Sequence, residues 1–177
     1  ITGEFTLRDN LKENDDEIVF VAAGSGVTPF IPMAKAAKAA NPDRKVTLVH
    51  ICQNAARQFL PGATADLKEK YGVNVVNVFT RDAAGAQPLY TKTEDGQQKP
   101  TDALYQLLQQ NIPAQFNEAN IYLVGPRHFM LNFYYAMAKQ FPTFTGNHIN
   151  IEAFGPHPSI DLMGIQARLD AEKAAAQ

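Results

Sequence analysis

Four short apolar runs constrain this chain more than any other feature: "IVFVAA" (18–23), "VTLVHI" (46–51), "VNVVNVF" (73–79) and "IYLV" (121–124). Each is mostly continuous in its hydrophobicity, the pattern of strands covered on both faces. A fifth run, "HINIEAF" (148–154), closes the series. Helical segments lie between them. "PFIPMAKAAKAA" is rich in alanine, and "ATADLKEKYG" stops at Gly72, a glycine placed to end a helix. "TDALYQLLQQN" offers Thr101 as an N-cap, with Leu104, Leu107 and Leu108 on one face. "PRHFMLNFYYAMAKQF" opens on proline and carries a broad apolar side. Strands alternating with helices imply parallel pairing through right-handed crossovers. The expected fold class is α/β: an open five-stranded parallel sheet with helices on both faces.

Two segments stand outside the alternation. Residues 80–100, "TRDAAGAQPLYTKTEDGQQKP", read as a long polar loop, and loops of that length in compact domains are often functional or mobile. Residues 157–177 read as a C-terminal tail helix with Leu162, Ile165 and Leu169 on one side. At 177 residues the chain makes one domain with a substantial core. A net charge of -2 without a Lys/Arg cluster argues against a nucleic-acid partner. The single cysteine, Cys52, excludes a disulfide framework or a cysteine-ligated cluster within this chain. No apolar run approaches the ~20 residues of a transmembrane segment, and no signal peptide opens the sequence, so a cytoplasmic setting is expected. The opening "ITGEFTLRD" lacks an initiator methionine and reads as part of something longer.

The first apolar run leads into "FVAAGSGVTPF" (20–30). Gly24 and Gly26 permit a sharp turn and close approach of the backbone to a ligand. The helix start that follows favours an anion such as pyrophosphate. Many strand–helix turns use glycine for geometry alone, so the pair has a purely structural reading as well. The ordinary dinucleotide fingerprint G-x-G-x-x-G requires a third glycine and an acid about 20 residues on. Here Pro29 occupies the third position, and the second strand ends "HICQN" without an acid. Both requirements fail.

"AAGSGVTPF" instead resembles the G-x-G-[IV]-T-P motif of the NAD(P)H-binding domain in the ferredoxin–NADP reductase superfamily. Three further landmarks stand in register. "GEFTL" (3–7) is similar to the segment leaving that family's flavin-binding barrel, and "IYLVGPRHFM" (121–130) resembles [YV]-x-C-G-P-x-x-[FM]-[ML]. "INIEAFGP" (149–156) resembles the terminal HxExFGP of flavohemoglobins (nitric oxide dioxygenases), whose C-terminal reductase domain is the closest in motif. The resemblance runs from residue 3 to 156. It implies residues 1–17 as the exit from a missing flavin-binding barrel, 18–156 as the NAD(P)H-binding domain, and 157–177 as the tail helix.

The resemblance also implies roles. Gly24, Ser25, Gly26 and Val27, with Thr28 and Pro29 completing the motif, would receive the pyrophosphate and nicotinamide end of NADH or NADPH. Thr28 would sit near the nicotinamide–flavin contact, or serve as a plain helix N-cap, or both. Val124, Gly125 and Pro126 would form the second turn, with Val124 where the family usually has cysteine. Thr80 and Arg81 match the [ST]-R that faces the adenosine half, where a guanidinium can pair with phosphate. Arg81 also reads as a solvated loop cation. Gln53 and Asn54 replace the family's arginine and asparagine. Neutral amides there suit a ribose hydroxyl and favour NADH modestly, unless Arg57 pairs with a 2′-phosphate. Glu152 would lie near the nicotinamide and Phe154 would cover the flavin ring, ordinary core packing being the other reading of Phe154. With Thr28, these two would be the catalytic residues.

His50 and Cys52 alternate on one face of a strand. Without a third ligand at a recognisable spacing they read as a buried neutral histidine and thiol rather than a metal site. Phe129, Phe133, Tyr134 and Tyr135 sit at helical spacing and read as core. The expected function is hydride transfer from NAD(P)H to a flavin (FAD) held mainly by an upstream flavin-binding domain. A haem or iron–sulfur electron acceptor would follow, and the isolated piece would be inactive in hydride transfer. A nucleotide-binding regulatory module without turnover, suited by Val124 and the missing barrel, is the other reading.

Overall fold

A computed structural model describes Leu7, residues 17–81, Ala86, residues 88–94, 98–113, 120–144 and 149–153, and Ala167, Ala171 and Ala174 of the tail. For Asn120, Glu152 and Ala153 the backbone alone is described.

The apolar runs form the strands expected of them. β1 (Ile18–Ala23), β2 (Val46–Cys52) and β3 (Asn74–Phe79) alternate with α1 (Phe30–Ala40) and α2 (Pro61–Tyr71). A short pair, β4 (Tyr90–Lys92) and β5 (Gln98–Pro100), then precedes α3 (Asp102–Asn111), β6 (Asn120–Gly125), α4 (Arg127–Gln140) and β7 (Ile149–Ala153). The main sheet has the order β3-β2-β1-β6-β7, and all its pairings are parallel.

Continuous hydrophobicity in the central strands has a direct cause: each strand feeds two cores. Ile18, Phe20 and Ala22 of β1 join Leu48, Tyr122 and Val124 beneath α1 and α2. Val19 and Val21 join Val49, Ile51, Ile121 and Leu123 beneath α3 and α4. Ring contacts fill the first core, with Phe20 4.8 Å from Phe30 and 5.4 Å from Tyr122 between centroids. Burying one such ring stabilises the fold by about 1.5–3 kcal/mol. On α4, Phe129, Phe133, Tyr134 and Tyr135 are all buried in the second core.

Helix ends follow local chemistry. Gly72 adopts φ 66° after α2, and its N–H donates to the Leu67 carbonyl, closing the helix with a left-handed residue. Thr101 does stand at the N-cap of α3, but its side chain makes no capping bond. The hydroxyl donates instead to the Pro88 carbonyl at 2.6 Å, tying the preceding segment to the helix start. That segment corrects one expectation. Residues 80–100 are not wholly loop, because Tyr90–Lys92 pairs antiparallel with Gln98–Pro100. The hairpin is held to α4 by Asn132, whose Nδ2 donates to Gln98 Oε1 at 2.9 Å. Of the expected tail helix, only Ala167, Ala171 and Ala174 are described, each helical and exposed.

Candidate functional site

From β1 the chain proceeds outward to β2 and β3, then returns across the sheet to β6 and β7. The direction therefore reverses between β1 and β6, and their carboxyl ends open a crevice there, the usual ligand position in open parallel sheets. Two turns border it. After β1, Gly24–Val27 forms one turn of 3-10 helix, with Gly24 at φ 59°. After β6, Gly125 and Pro126 lead into α4.

The first turn is pressed against the second strand end. A Cβ on Gly26 would lie 2.6 Å from the Val124 carbonyl oxygen and 3.0 Å from its carbon, so only glycine fits. A Cβ on Gly125 would lie 2.8 Å from Phe129 Cδ1 and 2.9 Å from Ala23 Cβ. The turns thus interlock through contacts that side chains would prevent.

A cavity of about 760 Å³ lies at this end of the sheet. Ala23, Gly24 and Ser25 line it from the end of β1, and Pro126 from the start of α4. Gln53, Arg57, Thr80 and Arg81 line it from the ends of β2 and β3. Thr80 and Arg81 are held there by the strand ladder: their N–H groups donate to the carbonyls of Cys52 and Gln53, at 2.9 and 2.7 Å. The opposite wall comes from the hairpin and α4, with Tyr90, Lys92, Gln98 and His128. Tyr90 and His128 meet edge to face, 6.2 Å between ring centroids. No carboxylate lines the cavity among the described residues, while Arg57, Arg81 and Lys92 do.

Other expected residues fall elsewhere. Gly26, Val27 and Val124 are buried and do not line this cavity; the Val27 and Val124 side chains pack in the core beneath α1. Thr28 is exposed, and its hydroxyl donates to the Ser25 carbonyl at 2.7 Å, stiffening the turn. Pro29 is the residue preceding α1. Asn54 Oδ1 accepts from the Arg57 N–H at 3.1 Å, so this amide caps a short turn (Ala55–Arg57). Residue 152 pairs with Val124 through the backbone, which sets it beside the second turn. The Glu152 side chain and Phe154 lie outside the described residues.

Several lining groups escaped sequence reasoning. Tyr90, Lys92 and Gln98 were hidden in a segment read as loop, and His128 lay unremarked inside "GPRHFM". Cys52 also lines the cavity. Burial pushes its thiol above the ordinary value, against the opposing pull of the Phe59 and Gly24 backbones. Burial likewise raises the Tyr90 phenol.

The model of the oxidoreductase NAD-binding domain family matches residues 20–134. Flavohemoprotein A of Dictyostelium discoideum is 32% identical over 156 residues, which are 87% of this chain and 34% of that protein. The chain spans about a third of the length of the curated relatives it matches. Among solved structures, the Amycolatopsis cytochrome P450 reductase GcoB is similar at TM-score 0.65 and 24% identity, over 88% of this chain and 42% of that one. Ferredoxin-NADP+ reductase from Plasmodium falciparum is similar at TM-score 0.65 and 17% identity, over 86% and 57%. These two likenesses show the fold. With its strand order, its interlocked glycine turns and the family match in agreement, the chain belongs to the oxidoreductase NAD-binding domain family.

Proposed function

We propose that this domain binds NADH or NADPH across the carboxyl ends of β1, β2, β3 and β6 and presents the nicotinamide to a flavin held mainly by another domain of a longer parent. The reading is carried by one observation: a glycine turn pressed onto the Val124 carbonyl, beside a cavity lined by cations and no described carboxylate. The nucleotide supplies the hydride and the flavin receives it. This chain's part is placement. The Ser25 region would take the pyrophosphate, and Gln53, Thr80 and Arg81 the adenosine half. Thr28, Glu152 and Phe154 would border the flavin contact. Haem or an iron–sulfur centre would be the next electron acceptor in the parent, a flavohemoglobin-like or oxygenase-type reductase, in the cytoplasm.

Cofactor choice shifts once Asn54 is seen to be a cap. Its acceptor oxygen is committed to Arg57 N–H, whereas Arg57, Arg81 and Lys92 all border the cavity. This cationic lining supports NADPH binding at least as tight as NADH, where Gln53 and Asn54 as ribose partners implied a modest preference for NADH. Calorimetric titration of the chain with ADP-ribose, NADH and NADPH tests both points, with Arg57→Ala alongside. Saturable ADP-ribose binding without bound flavin is expected, with NADPH weakened selectively in Arg57→Ala. A chain that binds no ADP-ribose, or that purifies with stoichiometric flavin, would overturn the reading.

A further inference from the structure

His50 is 0% exposed, on the face of β2 that packs beneath α1 and α2. Its neighbour in register on β1 is Ala22, so the imidazole lies just before the glycine turn. Nε2 stands 3.0 Å from the Gly24 carbonyl oxygen. A carbonyl can only accept, so Nε2 carries the proton and Nδ1 is the bare nitrogen. Nδ1 has no partner among the described residues. Cys52 Sγ lies 3.3 Å from the same Nε2, a weaker acceptor than the carbonyl. Burial lowers the His50 pKa, with the Gly24 bond opposing, and so favours the neutral ring.

The bond matters because of where Gly24 sits. A left-handed glycine has no side chain to oppose reorientation of the peptide that follows it. That peptide is planar and trans, so its C=O and N–H point to opposite sides. Holding the Gly24 carbonyl inward, toward β2, therefore turns the Ser25 N–H outward. Ser25 is a cavity residue.

We propose that His50 is a positioning residue for the nucleotide site: its Nε2–H fixes the Gly24 carbonyl and so aims the Ser25 N–H at the phosphate groups of the ligand. The inference rests on reading the turn as the pyrophosphate site. His50 touches no ligand itself. It sets the direction of one donor, and the buried imidazole in the second strand becomes part of the binding machinery.

The test compares the wild-type chain with His50→Leu and His50→Gln, using ADP-ribose as the probe. Leucine keeps an apolar side chain in the core but has no donor, and glutamine restores an N–H. ADP-ribose binding is expected to weaken about fivefold in His50→Leu and to recover in His50→Gln, as for one hydrogen bond lost and regained. In wild type, the Ser25 amide resonance should shift when ADP-ribose is added. Wild-type affinity in His50→Leu overturns the inference. Should His50→Leu fail to fold, a Ser25 amide unmoved by bound ADP-ribose overturns it equally. A wild-type chain that binds no ADP-ribose defeats the site reading, and this inference with it, whereas wild-type binding matched by His50→Leu defeats this inference alone.

Discussion

After β1 the chain turns through Gly24–Val27 with a left-handed residue, Gly24 at φ 59°; after β6 it turns through Gly125 and Pro126 with none. Both turns carry glycine, yet the three glycines answer to different physics. Gly24 is there for its backbone conformation, since a Cβ would meet nothing within 4 Å. Gly26 is there for proximity to a backbone, and Gly125 for proximity to side chains. A glycine in a motif thus says that a side chain is unwelcome without saying why. Only the neighbours distinguish a ligand-facing bend from a packing contact.

Substitution by alanine separates the three, and the largest effect should fall on Gly26. Its obstacle is the Val124 carbonyl at 2.6 Å, fixed in a strand between β1 and β7, so it cannot move without disturbing the sheet. Gly26→Ala is expected to cost about 3 kcal/mol in denaturant unfolding, as severe overpacking does. ADP-ribose affinity should fall with it, because the turn must lift off the strand. Retention of both would mean that the close contact is incidental.

Gly125→Ala should cost less, about 2 kcal/mol. Here the nearest obstacle is the Phe129 ring, which can shift where a strand carbonyl cannot, so the cost that remains is set by the Ala23 methyl on β1 at 2.9 Å. Its signature is a stability loss with ADP-ribose binding nearly intact, read by unfolding and calorimetry on the same sample. Equal losses of affinity in Gly125→Ala and Gly26→Ala would erase the distinction between the two turns.

The smallest effect belongs to Gly24→Ala. With open space around the new methyl, the cost is left-handed strain alone, about 1 kcal/mol. Gly24→Asn should recover part of it, since asparagine tolerates that region better. A larger loss in Gly24→Ala than in Gly26→Ala, measured by urea unfolding, would invert the comparison.

How far the sequence revealed the molecule depended on how local each cause was. The central strands were legible because burial on both faces writes continuous apolar runs, as in β1 and β2, where almost every residue is buried. The edge strand β3 is exposed or half-buried throughout and was legible only by its valines. The glycine turn was legible as well. β4 and β5 were not: three-residue strands reading "YTK" and "QKP" carry neither apolar length nor alternation. Pairing there is stabilised from outside, through Asn132–Gln98 and Thr101–Pro88. Asn54 was visible as an amide at a strand end, but its commitment to Arg57 N–H depends on the turn geometry. His50 was correctly legible as a buried neutral ring. Its bond to Gly24 spans 26 positions in sequence, and no spacing rule reaches that far.

The contact between Gly26 and Val124 also has a consequence for the order in which the molecule assembles. β1, α1, β2, α2 and β3 follow one another in the chain and can pair with modest loop closure. β6 joins β1 only by matching Ile18 with Asn120 across all of that intervening chain, the kind of distant pairing whose entropy slows folding. Until β6 docks, the glycine turn has no Val124 carbonyl to rest on, and the second turn does not exist. On a growing chain emerging from the ribosome, three of the five strands can therefore pair while the proposed nucleotide site is still absent.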